Sequence, residues 1–104
     1  MKKKRILMVC EAFGGGVFTY VSQLCNDMVD EFDVYLAYSL RPQTPKNYTD
    51  FLDQRVHLIE MENVGVKGLT NLKSDIAAIK ELRQIEKDVQ PDVIHLHSSV
   101  AGGL

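Results

Sequence analysis

Ile6-Leu7-Met8-Val9-Cys10 sets five apolar side chains in an unbroken row near the start of the chain. A strand with one face in water alternates apolar and polar residues, whereas a strand covered on both faces does not. The run therefore predicts an inner strand of a parallel sheet, entered at Arg5. Three glycines follow, Gly14-Gly15-Gly16, and apolar residues then recur at Val17, Val21, Leu24, Cys25 and Met28. That is the spacing of a helix with one buried stripe.

The pattern repeats. Phe32 to Tyr38 is rich in aromatic and β-branched types and reads as a second strand. A polar stretch broken by Pro42 and Pro45 suits neither helix nor strand. Val56-His57-Leu58-Ile59 forms a short third strand, and Gly65 and Gly68 punctuate what comes next. A long helix begins near Thr70 or Asn71, either of which can cap it. Its expected inward stripe is Leu72, Ile76, Ile79, Leu82, Ile85 and Val89, with a charged, solvated face opposite. Pro91 stops that helix, and Asp92 to His97 is a fourth strand. Strands alternating with helices imply βαβ units. With right-handed crossovers, the expected fold is α/β: a doubly wound, Rossmann-like parallel sheet of about four strands with flanking helices.

The tail, Ser98-Ser99-Val100-Ala101-Gly102-Gly103-Leu104, reads as a turn and the opening residues of a further helix. Residues 1–104 are thus expected to be a partial domain. Strand four would keep an open edge and an uncovered face, through which two copies could pair.

Composition narrows the function. Hydrophobic residues make up 45% and charged residues 25%, which is ordinary for a globular chain. A net charge of -2 and a pI near 5.9 argue against nucleic-acid binding, which needs a basic surface. The basic run Lys2 to Arg5 reads as a solvated lead-in to strand one rather than a signal region, since the apolar run behind it meets Glu11 after five residues. No stretch approaches the roughly 20 apolar residues of a membrane span. Cys10 and Cys25 sit on apolar faces, with no export signal and no CxxC or Cys/His cluster. They read as reduced, buried thiols in a cytoplasmic protein, and no metal is expected.

In open α/β sheets, ligands bind outside the carboxyl ends of the strands, near the switch in strand order. Two segments fall there. Gly14-Gly15-Gly16 would let backbone approach a ligand, and the helix behind offers free N–H groups and a positive dipole end to a diphosphate. A tight turn with no ligand explains the same glycines. A dinucleotide fingerprint fails, because Thr19 stands where GxGxxG needs its third glycine, and no acidic residue closes strand two. At the end of strand four, alternation puts His95 and His97 on one face and Leu96 on the other. His97, last in the strand, is the better candidate for contact with a sugar hydroxyl or phosphate oxygen. Ser98 and Ser99 could cap the next helix or bind polar ligand atoms. His57 lies mid-strand and reads as a structural histidine.

Two segments carry a family resemblance. Gly15-Gly16-Val17-Phe18-Thr19-Tyr20-Val21 resembles the GG-V-x-T-x-V segment of GT-B-fold glycosyltransferases of family four. Pro91-Asp92-Val93-Ile94-His95-Leu96-His97-Ser98-Ser99-Val100-Ala101-Gly102 resembles their P-D-[VI]-[IV]-H-x-H-S-S-x-A-G signature, found in enzymes that build capsular, exopolysaccharide or lipopolysaccharide chains. Asp75 and Ala78 in the preceding helix also fit. The resemblance implies retaining transfer from a nucleotide-diphospho-sugar to a glycan or lipid-linked acceptor, usually without a metal. It puts Gly15 and Gly16 beside the donor diphosphate and His97 against the transferred sugar, as the catalytic-site histidine. Ser98 and Ser99 follow as acceptor- or sugar-binding positions. It also implies that the chain is the N-terminal, acceptor-side part of a GT-B enzyme, inactive without the donor-binding C-terminal domain that carries the E-x7-E motif. Lipid-linked acceptors would bring such an enzyme to the inner face of the cell membrane, although no basic amphipathic helix here supports attachment. Position 18, often acidic in relatives, is Phe18. The alternatives are a separately encoded binding subunit and a small nucleotide-binding module unrelated to sugar transfer.

Overall fold

A computed structural model describes residues 3–13, 15–40, 44–61 and 72–97. Strand β1 runs Lys4–Phe13 and helix α1 Gly15–Met28. Strand β2 spans Phe32–Leu40 and β3 spans His57–Glu60. Helix α2 covers Leu72–Val89 and β4 covers Val93–His97. The strands form one sheet in the order β3-β2-β1-β4, and every pairing is parallel. The α/β architecture expected from the sequence is the one observed.

Both faces of β1 are buried, which is why its sequence does not alternate. Ile6, Met8 and Cys10 point to one side, where they pack with Val21 and Cys25 of α1, with Val29 just after it, and with Val34, Leu36 and Tyr38 of β2. Leu7 and Val9 point to the other, where Ile85 and Val89 of α2 meet them and Ala37. One helix thus covers each face, as doubly wound topology requires. The winding reverses between β1 and β4: from β1 the chain steps outward to β2 and β3, and α2 then carries it back to β4 on the opposite flank.

Several boundaries differ from the expectation. β1 continues three residues past Cys10 through a register shift, so its end stands beyond the level of β4. The glycines expected as a loop are already helical at Gly15 and Gly16, while Gly14 lies outside the described residues. The proline-containing stretch contains a 3-10 turn, Tyr48–Phe51. The long α2 stripe is inward only in its second half. Ile85 and Val89 are buried, but Ile76 and Ile79 are 54% and 50% exposed.

Among the described residues no α-helix joins β2 to β3. Between the 3-10 turn and β3 the chain forms a strap along α1, with Leu52 and Val56 in the core. Asn26 of α1 donates to the Phe51 carbonyl (2.9 Å) and accepts from the Asp53 amide (2.8 Å). Arg55 bridges Asp53 (3.0 Å) and Asp30 (2.8 Å). The hydrogen bonds from Arg55 hold the Asp53 carboxyl down at about 2. The basic lead-in is structural too: Lys3 donates to the Val29 carbonyl (2.9 Å) and Arg5 to the Val89 carbonyl (2.7 Å), placing cations at the C-terminal ends of both helices.

Two outcomes follow from this packing. The Ser22 hydroxyl is buried in α1 without a hydrogen-bond partner among the described residues. Ser22→Ala removes that uncompensated group and improves helix propensity, so thermal or urea unfolding should show a gain of ~0.5–1 kcal/mol. For Asp53, the folded value lies below the unfolded one near 3.9. Its contribution is therefore complete above about pH 4 and is lost as pH falls through about 2. Asp53→Asn should lower the melting temperature at neutral pH and low salt, and the gap to wild type should close on acidification through that window.

Candidate functional site

The reversal of strand order between β1 and β4 fixes where a ligand cleft forms: at the carboxyl ends of these two strands. Both segments singled out in the sequence arrive there. His97 is the last residue of β4 and pairs with Cys10 of β1; His95, two residues earlier, pairs with Met8 and is exposed. The side chain of His97 lies outside the described residues, as do Ser98 and Ser99 entirely, so the structure fixes the backbone position of His97 alone.

Gly15 and Gly16 open α1 directly above the end of β1. The first amides of a helix have no intrahelical acceptor, so this end presents N–H groups and a partial positive charge. Gly16 is exposed, and a Cβ built on it would meet nothing within 4 Å. Sterics of the fold therefore do not demand glycine there. Alanine would fit there.

Beside this corner stands a cluster of rings that the sequence did not announce. Phe13, at the end of β1, packs edge-on to Phe18 of α1 (centroids 4.8 Å apart) and against Tyr38 of β2 (5.2 Å). Tyr48 of the strap joins both, and Phe51 packs edge-on to Phe18. The Tyr38 and Tyr48 hydroxyls hydrogen-bond at 2.8 Å, and Thr44 donates to the Phe13 carbonyl. Burial, reinforced by the hydrogen bond it shares with Tyr48 and by the nearby Glu60 carboxylate, holds the Tyr38 phenol well above its ordinary value, so it stays neutral. Phe18 is thus a ring of the core rather than a surface residue of the site. The only local sign in the sequence was the Tyr48/Phe51 spacing, which matters only once the strap is laid along α1.

Other candidates separate from the cleft. His57 is the first residue of β3 rather than mid-strand. It meets Asp33 at 2.9 Å and stacks on Tyr35 at the opposite end of the sheet, a structural role as expected. Burial, with Cys10 close by, pushes the Cys25 thiol up to about 12, which leaves it unreactive. An open concavity of about 500 Å³, lined by Arg83, Glu86, Lys87, Gln90 and Pro91, lies at the C-terminal end of α2, away from the carboxyl ends of the strands. Among the described residues no group of three or more His, Cys, Asp or Glu could hold a metal ion. No described helix is long and apolar enough to cross a membrane.

No curated protein and no solved structure matches the chain significantly. The model of one family, Glycosyltransferase Family 4, matches residues 14–104, from the glycine turn through α1 and the β4 terminus to the last residue. With its glycine-opened helix and its histidine-terminated strand meeting at the switch point, the chain belongs to Glycosyltransferase Family 4.

Proposed function

We propose that this chain forms the acceptor-side half of a retaining glycosyltransferase, which moves a sugar from a nucleotide-diphospho-sugar onto a glycan or lipid-linked acceptor in surface-polysaccharide synthesis. The observation that carries this reading is Gly16: a glycine without steric need, at a helix N-terminus, at the switch point of a parallel sheet. A diphosphate there would accept hydrogen bonds from the first α1 amides and sit in the positive end of the helix dipole. That arrangement offsets phosphate charge without a metal, and none is assigned.

His97 is given the role of contacting the transferred sugar, with Ser98 and Ser99 beside it for sugar or acceptor. A polar group placed on the developing charge of a glycosyl transition state stabilises it more than the ground state. The corner supplies one wall of such a site. The other wall is assigned to a donor-binding domain, so residues 1–104 alone should not turn over. The cytoplasm, where sugar nucleotides are available, is the proposed location, at the inner membrane face when the acceptor is lipid-linked.

Two measurements check the reading. With the donor-binding domain present, His97→Ala should lower sugar transfer by on the order of 100-fold or more while circular dichroism and melting stay unchanged; wild-type turnover would remove His97 from the site. Calorimetry of the 104-residue chain should detect no binding of UDP- or GDP-sugars at micromolar concentration. A tight complex would show that one wall suffices.

A further inference from the structure

Helix α2 carries four acids and four bases, and its sequence reads as an ordinary solvated helix. The fold sorts those charges. With Leu82, Ile85 and Val89 turned to the sheet, Ile76, Lys80, Arg83 and Lys87 fall at i, i+4, i+7 and i+11, one row about 16 Å long on the side away from it. All four are exposed, and so is Ile79 beside them. The row holds no carboxylate, and among the described residues none of its three cations forms an ion pair. The basic amphipathic face not expected from the sequence is therefore present in α2.

We infer that this row is a docking surface for an anionic lipid bilayer, with Ile76 and Ile79 entering the headgroup layer and Lys80, Arg83 and Lys87 against the lipid phosphates. Apolar side chains interleaved with cations fit a surface that is negative outside and apolar beneath. A free phosphate fits less well. The concavity that Arg83 and Lys87 line is shared with Glu86 and lies at the negative end of the helix dipole. Because α2 joins two parallel strands it runs antiparallel to them, which sets the isoleucines nearer the cleft end than the cations. Docking goes beyond the transferase reading and needs none of its chemistry.

The test is co-sedimentation of the chain with vesicles of phosphatidylcholine, alone or with about 30% phosphatidylglycerol. The chain should bind the mixed vesicles and not the neutral ones, and should come off as salt is raised to about 1 M. Lys80→Gln, Arg83→Gln and Lys87→Gln together should weaken binding on the order of 100-fold, about fivefold per cation. Ile76→Ser with Ile79→Ser leaves every charge in place and should weaken it about tenfold or more. Lys46→Gln, at an exposed lysine before the 3-10 turn, should change nothing. Melting temperatures should stay at the wild-type value, since all the altered side chains are exposed. Equal binding to neutral and mixed vesicles, binding to neither, or full binding by the isoleucine variant overturns the surface. Dimerisation without vesicles that the isoleucine variant abolishes also overturns it and assigns the face to a second copy. Sugar transfer to a water-soluble acceptor is read separately in the complete transferase. Transfer without docking leaves the transferase reading standing while the surface falls, and docking without transfer does the reverse.

Discussion

Everything in this fold hangs on β1 being apolar on both sides. A strand that shows Ile6, Met8 and Cys10 to one layer and Leu7 and Val9 to the other is stable only between two covering layers. α1 supplies one and α2 the other, and neither helix has another surface on which to bury its stripe. Parallel pairing on both flanks of β1 then follows, because each crossover returns the chain to the same end of the sheet. With β2 on one side and β4 on the other, the winding reverses at β1.

That reversal turns a packing constraint into a functional address. Crossover connections leaving in opposite directions open a crevice above β1 and β4, where α1 opens with Gly15 and Gly16 and β4 ends at His97. The opposite end of the sheet is given over to fastening. Lys3 and Arg5 cap the two helices, Asp92 accepts from the Arg5 amide, and His57 leans on Asp33 and Tyr35. Membership in Glycosyltransferase Family 4 gives the chain a role in glycosyl transfer in general terms, and in the proposed reading the open backbone at Gly16 is what a donor would approach.

Much of this was legible in the residues because burial on both faces writes itself as unbroken apolar runs, and both β1 and the strand after it show one. The β4 terminus was legible for a different reason, through the segment from Pro91 to Gly102. What the sequence did not show depends on lengths and registers. The α2 stripe reads as uniformly inward, yet Ile76 and Ile79 are half-exposed. The ring cluster was invisible, since Phe13, Phe18, Tyr38, Tyr48 and Phe51 come from four separate segments and meet only when the strap lies along α1. Phe18 illustrates the point: in the sequence it stands where relatives often carry an acid, and in the fold it is a buried ring.

The central claim is that Gly16 is kept for a ligand and not for the fold. Gly16→Ala separates the two with one methyl group. The account predicts an unchanged or slightly higher melting temperature, because alanine fits the open space, together with a donor KM raised about tenfold or more in the complete transferase as the methyl stands off the diphosphate. A more stable protein with an unchanged donor KM would contradict it.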